Sequence, residues 1–146
     1  MGKLRTILTG AALAALTVTA MPLAAHAAGT APAPVGTGTS AAPPADGKLY
    51  AYEGYNYTGF SCSWTGNSNN WGQCRNQASS LWNNGFPGNL DDVWVYWAPN
   101  RTEARRGVHN GVAISNLATV TFDAGTGKGA GQNLNDNISS HQWTNL

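Results

Sequence analysis

The chain has 146 residues, 10% of them charged, and a formal net charge of +1. That length admits one modest domain. The near-neutral balance offers neither the basic surface that nucleic acid requires nor an acidic tail. The two cysteines, Cys62 and Cys74, have no further Cys or His at metal-ligand spacing beside them.

The N-terminus comes first. Met1-Gly2-Lys3-Leu4-Arg5 is a short basic stretch, followed by an apolar run rich in Ala, Leu and Thr to about Leu23. Ala25-His26-Ala27 then places small residues at the two positions a signal peptidase reads. Residues 1–27 are expected to be a secretory signal peptide. Pro22 and the small-residue exit argue against a membrane anchor. The product is then extracellular, with 6 basic residues (8 − 2) against 7 acidic ones. Residues 28–47 are almost entirely Ala, Pro, Gly, Thr and Ser, with Asp46 as the one charge. They show no periodicity and are expected to form a disordered spacer. The folded domain is expected over 48–146, which is 99 residues (146 − 48 + 1). All 6 Trp, 5 Tyr and 3 Phe lie within it.

No stretch of that domain carries a sustained helical period. Tyr50, Tyr52 and the residues around them alternate apolar and polar as a half-buried strand does. Glu53 to Gly59 reads as a folded hairpin turn, because Gly and Asn tolerate positive φ. Phe60 to Trp64 is the return strand, and Gly66 to Asn70 a polar turn. Ala78 to Trp82 is a short strand that opens on Ser79-Ser80. Asn83 to Asn89 connects two halves. Val93 to Trp97 is the strongest strand. Val112 to Ile114 and Ala118 to Phe122 read as further strands, Asp123 to Gln132 as a Gly-rich loop, and Ile138 to Trp143 as the closing strand. Short strands at this spacing indicate a sandwich or Greek-key barrel. Both cysteines are exported, so a Cys62–Cys74 disulfide is expected, worth ~3 kcal/mol in the chain-entropy model.

The two halves repeat. A shift of 44 positions (96 − 52) lays Tyr52, Asn56 and Thr58 on Tyr96, Asn100 and Thr102. Each half is followed by a Ser pair: Arg75-Asn76-Gln77-Ala78-Ser79-Ser80, then Asn135-Asp136-Asn137-Ile138-Ser139-Ser140. A duplication of this kind fixes the architecture as two similar β units.

An aromatic strand, a hairpin ending at Gly59 and an Asn/Asp-Asn/Asp-x-x-Ser/Thr-Ser signature resemble the βγ-crystallin Greek-key unit. With Tyr52-Glu53, Asn56-Tyr57-Thr58-Gly59 and Asn76 through Ser80, the chain is similar to the secreted metalloproteinase-inhibitor family of actinobacteria. The resemblance spans about residues 48–143. It implies an all-β, βγ-crystallin-like double Greek-key sandwich, acting as a monomer that occupies the active-site cleft of a secreted metalloproteinase. Departures accompany it. Arg75 stands where the first unit would carry Asn or Asp, and Glu103 where the second hairpin would carry Gly. The Ser pairs are 60 apart (139 − 79), so 16 extra residues (60 − 44) fall within 104–134. The chain can form one disulfide where the known inhibitor type has two, so that family's reactive loop does not transfer. Candidate presenting loops are Asn83 to Asn89, Arg101 to Asn110 and Asp123 to Gln132.

Calcium is the cofactor that the resemblance implies, bound through oxygen ligands. One site would use Asn135, the Asn137 carbonyl and Ser79. The other would use Ser139 and the Gln77 carbonyl, with Arg75 placing a cation where an oxygen is needed. The alternative for these residues is turn-holding, since Asn and Ser bond local backbone. A polysaccharide is a further candidate partner if Trp side chains are exposed. Strand position assigns Trp64, Trp82, Trp94 and Trp143 to the core and leaves Trp71 and Trp97 for the surface. Catalysis has little support. His109 and His141 fit no nucleophile or zinc spacing, and Asp91-Asp92 reads as a turn cap. Gly125-Thr126-Gly127-Lys128 resembles a phosphate loop but is followed by Gly129 rather than Ser or Thr.

Overall fold

Alternation along the strands sets the layers. A computed structural model describes residues 31–34 and 42–146, and the expected signal peptide lies outside the described residues. In β1 (Lys48–Tyr52), Leu49 and Ala51 enter the central core, whereas Tyr50 and Tyr52 join a separate cluster with Trp82. In β4 (Asp92–Ala98), Val93 and Val95 enter the same core. The other strands are β2 (Ser61–Trp64), β3 (Ser80–Asn84), β5 (Thr102–Val108), β6 (Ala113–Ile114) and β7 (Ser140–Thr144). They form two antiparallel sheets, ordered β2-β1-β3-β6 and β5-β4-β7. Leu81, Val108, Leu117, Phe122, Leu134 and Ile138, each at most 1% exposed, fill the space between.

The repeat is borne out bond by bond. Leu49 pairs with Trp64 and Tyr52 with Ser61; 44 positions on, Val93 pairs with Val108 and Tyr96 with Arg105. After the second strand of each unit, the chain crosses to the other sheet. Ile114 pairs with Leu81 of the first sheet, while Ser68 bridges His141 of the second. The two crossings are 46 apart (114 − 68), so 2 of the extra residues precede the crossing and the remaining 14 follow it. Those 14 fold as the excursion around the Thr121–Asn133 bridge, which places Phe122 and Leu134 in the core. The result is a double Greek key with exchanged strands.

Several readings need correction. Arg101 to Asn110, expected as a loop, is mostly strand β5, formed by pairing with β4 although Ala104 and Val108 are the only buried residues among its charges. Ala118 and Thr119 sit in a one-turn 3-10 helix capped by the Asn116 side chain, and only Thr121 of the expected strand makes a bridge. Trp71 is 3% exposed and central to the core rather than on the surface. Trp64, Trp94 and Trp143, assigned to the core, are only partly buried.

The Cys62–Cys74 disulfide is present, joining β2 to the 3-10 turn at Gly72–Cys74. Of the stretch 28–47, residues 31–34 and 42–47 are described. There the Pro32 carbonyl accepts a hydrogen bond from the Tyr52 hydroxyl, and the Pro44 carbonyl accepts one from Asn84 Nδ2 at 3.2 Å.

Candidate functional site

The two Ser-pair signatures lie side by side. Asn76 N–H donates to the Ile138 carbonyl at 2.9 Å, and Asp136 N–H donates to the Ala78 carbonyl at 3.0 Å. The bonds are reciprocal under the 60-residue shift. Both donors have φ of 56°, the left-handed region that Asn and Asp tolerate better than other side chains do.

The second serine of each pair holds its own hairpin. Ser80 Oγ donates to the Gly54 carbonyl at 2.7 Å and accepts from Tyr57 N–H at 2.9 Å. Ser140 Oγ donates to the Ala98 carbonyl at 2.6 Å and accepts from Arg101 N–H at 3.0 Å.

The expected calcium residues gather along this seam. Asn135 Oδ1 is buried and has no hydrogen-bond partner among the described residues, while Asn135 Nδ2 donates to Asp136 Oδ2 at 2.7 Å. Asn137 Nδ2 donates to the Asn133 carbonyl at 2.8 Å. Ser79 is buried, and its N–H donates to the Tyr52 carbonyl at 2.8 Å. An unpartnered carboxamide oxygen is the atom a hard cation would take, so this half of the set fits calcium. In the other half, Ser139 Oγ donates to Asn76 Oδ1 at 3.0 Å and accepts from Arg75 Nε at 3.3 Å. Gln77 is exposed, with its N–H on the Cys74 carbonyl at 3.3 Å. The guanidinium there opposes a second cation.

A different surface forms where the two halves are joined. Phe86 is 64% exposed and Leu90 52%, and both stand on the connection between β3 and β4. Buried Asn83 braces that connection: its Nδ2 donates to the Asp91 carbonyl at 2.8 Å, and its Oδ1 accepts from Gly85 N–H at 3.0 Å. Asp91 Oδ2 accepts from Gly88 N–H at 2.8 Å, and Asn145 Oδ1 accepts from Leu90 N–H at 2.6 Å. Leu90 itself is held at φ 57°, a costly conformation for a branched side chain.

The neighbouring turn after β5 belongs to the same structure. Asn110 Nδ2 donates to the Gly85 carbonyl, and Asn110 N–H to Asp92 Oδ1, both at 2.9 Å. Val112 on this turn is exposed, as is Leu146, whose N–H donates to Asp92 Oδ2 at 2.8 Å. Burial pushes the Asp92 carboxyl upward, but these two N–H bonds and the nearby His109 outweigh it and hold the pKa below its usual value. Asp91 and Asp92 are therefore turn anchors. Beside the loop, Phe86, Leu90 and Trp143 line a groove of about 350 Å³. Trp143 Nε1 is buried and unpartnered among the described residues.

Of the three candidate loops, Asn83 to Asn89 contributes Phe86, and Arg101 to Asn110 contributes its last two residues, which enter the turn. Asp123 to Gln132 lies on the excursion instead. There Arg106 Nη1 pairs with Asp123 at 2.9 Å, and Glu103 Oε2 accepts from Lys128 N–H at 2.8 Å. Leu90, Asn145 and Leu146 lie outside the three candidate loops, and Asn110 is only the end of one of them. Asn110 and Asn145 act on segments far away in sequence, and no local pattern marks such residues.

His141 is fully buried. Trp71 Nε1 donates to its Nδ1 at 2.8 Å, so Nε2 carries the proton, 2.8 Å from the Gly66 carbonyl. Burial lowers its pKa to about 4, helped by the charge of Arg101. It is a structural imidazole.

Comparisons with known proteins agree with this architecture. Residues 39–108, 70 of 146 (108 − 39 + 1), match the model of peptidase inhibitor family I36. A solved structure of the eye-lens βγ-crystallin domain fold aligns at 19% identity, covering 72% of this chain and 91% of that one, with a TM-score of 0.51. A βγ-crystallin from Ciona intestinalis aligns at 13% identity over 67% of this chain and 100% of its own (TM-score 0.48). Spherulin 3a from Physarum polycephalum aligns at 20% identity over 73% and 91% (TM-score 0.48). No curated protein gives a significant sequence match. Among the described residues, no helix is long and apolar enough to cross a membrane. Over residues 39–108 the chain is thus similar to peptidase inhibitor family I36, and its fold is that of a βγ-crystallin domain.

Proposed function

We propose that the protein is exported by residues 1–27 and inhibits an extracellular metallopeptidase as a monomer, through the end of the domain that carries Phe86, Leu90, Val112 and Leu146. The observation behind this reading is the inhibitor-family match over residues 39–108, which includes the braced Gly85–Asp91 connection. The resemblance noted in the sequence supplies the metallopeptidase class. The geometry supports the surface. Among the described residues, four of the five large apolar side chains that are exposed, Phe86, Leu90, Val112 and Leu146, belong to segments tied together by Asp91, Asp92, Asn110 and Asn145. A loop already held by hydrogen bonds loses little entropy when it enters a cleft, and a buried aromatic side chain makes an effective anchor.

Titration of the purified protein against thermolysin-like metallopeptidases tests the reading, with serine and cysteine peptidases in parallel. Suppression near one-to-one by the metallopeptidases supports it. Failure against all of them, or inhibition confined to another class, overturns it. Phe86→Ala is expected to weaken inhibition ~10- to 100-fold and to change folding stability by less than ~1 kcal/mol.

The orphaned Asn135 Oδ1 favours a second reading, a single structural calcium ion held by Asn135 Oδ1, the Asn137 carbonyl and the Ser79 hydroxyl. Calcium would bind the native state only, so millimolar ion should raise the melting temperature relative to a chelator. Asn135→Ala should abolish the rise. Equal melting temperatures with and without calcium would dismiss this ion.

A further inference from the structure

We propose that the outer face of the β2-β1-β3-β6 sheet is a docking groove for an extended proline-containing chain, and that residues 31–34 of the protein occupy it in cis. Tyr50, Tyr52 and Trp82 point away from the central core. They stand in a row: the rings of Tyr52 and Tyr50 are 6.2 Å apart and those of Tyr50 and Trp82 5.6 Å apart, each pair at 21°, and Tyr57 meets Tyr52 edge-on at 5.7 Å. A row of rings on the outside of a sheet would ordinarily be wet. Here Tyr50, Tyr52 and Trp82 are only 3%, 1% and 3% exposed.

The segment ahead of the domain contributes to that cover. Ala31 packs against the aromatic cluster, and the Tyr52 hydroxyl donates to the Pro32 carbonyl. Further along, the Tyr50 hydroxyl donates to the Asp46 carboxylate, while Asn84 Nδ2 donates to the Pro44 carbonyl at 3.2 Å and to Asp46 Oδ1 at 3.0 Å. Ring faces beside a prolyl carbonyl that accepts from a tyrosine hydroxyl are the chemistry by which aromatic grooves take polyproline II segments. Ala31-Pro32-Ala33-Pro34 suits that conformation, because proline fixes φ and lowers the ordering cost. The bland composition that suggests a spacer is also the composition of a groove ligand.

The test uses the full mature chain. In one variant, Pro32→Ser and Pro34→Gly remove the prolines, and the indole N–H resonance of Trp82, assigned with Trp82→Phe, is followed by NMR. The resonance is expected to move in the proline-less variant. A synthetic peptide with the sequence of residues 30–36 should move it back, binding in the millimolar range. The same peptide should bind the unsubstituted chain at least ~10-fold more weakly, because the tethered segment competes at millimolar effective concentration. Tyr52→Phe keeps the ring, removes the hydroxyl and should weaken the peptide. An unmoved resonance would show that the segment does not cover Trp82. A moved resonance that the peptide fails to restore would show that the face does not recognise proline chains. Either result overturns the proposal, and neither depends on peptidase inhibition.

Discussion

His141, which the sequence ties to no nucleophile or zinc spacing, is a structural imidazole in the fold. Its imidazole accepts from Trp71 and donates to Gly66, so the fold requires the neutral form. The folded pKa is about 4, against 6.5 for the free side chain. Below pH ~6.5 the unfolded chain binds a proton that the native state refuses, so stability falls as the pH drops toward 4. The loss approaches ~3 kcal/mol at the bottom of that window, at 1.36 kcal/mol per pKa unit. Urea unfolding at pH 7 and pH 4.5 should show the step, and His141→Gln should flatten it while lowering stability at both values. Asp92 acts in a separate, lower window. Its depressed pKa contributes stability that is lost only as pH falls through the carboxylate range.

At the scale of an element, each hairpin folds back onto its sheet through one serine. Ser140 is fully buried and satisfies both Arg101 N–H and the Ala98 carbonyl; Ser80 does the same for Tyr57 and Gly54. Ser140→Ala or Ser80→Ala leaves a buried donor and acceptor without partners, a cost of ~1–3 kcal/mol. Thermal or denaturant unfolding should report similar losses for the two, and Ser→Thr should restore part of the stability. A negligible loss in either would mean that water replaces the hydroxyl. These serines explain why the fold was legible in the sequence: Tyr52 and Asn56 recur 44 positions on and Ser80 recurs 60 positions on, because each performs the same task in both units. The missed parts lack such a task. Strand β5 leaves both Arg105 and Arg106 exposed and is fixed by pairing with β4, so its own composition reads as loop. Trp71 faces inward because its indole meets His141, a partner 70 positions away. The exposed apolar end was legible at Phe86 and not at Leu90 or Leu146, whose exposure depends on bonds from Asn145 and Asp92 across the molecule.

For the whole molecule, the exchanged strands bear on cooperativity and on the proposed inhibition together. Neither sheet is made by one half of the chain: β6 from the second half completes the first sheet, and Ser68 from the first half bridges into the second. The core is likewise shared, with Leu49 and Leu81 from one unit in a cluster with Val95, Leu134 and Ile138 from the other. A loss in either unit should therefore propagate to both. Ile138→Ala removes a fully buried side chain and should cost ~2–5 kcal/mol. Amide exchange should accelerate by the same factor at Leu81 of β3 and at Val95 of β4, because both open only through global unfolding. Protection that survives at Leu81 while it falls at Val95 would mean that the units unfold separately. The braced end around Phe86 lies where the halves meet, since its loop joins β3 to β4 and its neighbouring turn leads from β5 into the exchanged strand β6. Its rigidity is thus a property of both units. An Ile138→Ala chain that remains folded should retain inhibition until the fraction unfolded becomes appreciable, whereas Phe86→Ala should lose inhibition while fully folded. Measured together, stability and inhibition separate a scaffold that only supports the contact from a side chain that makes it.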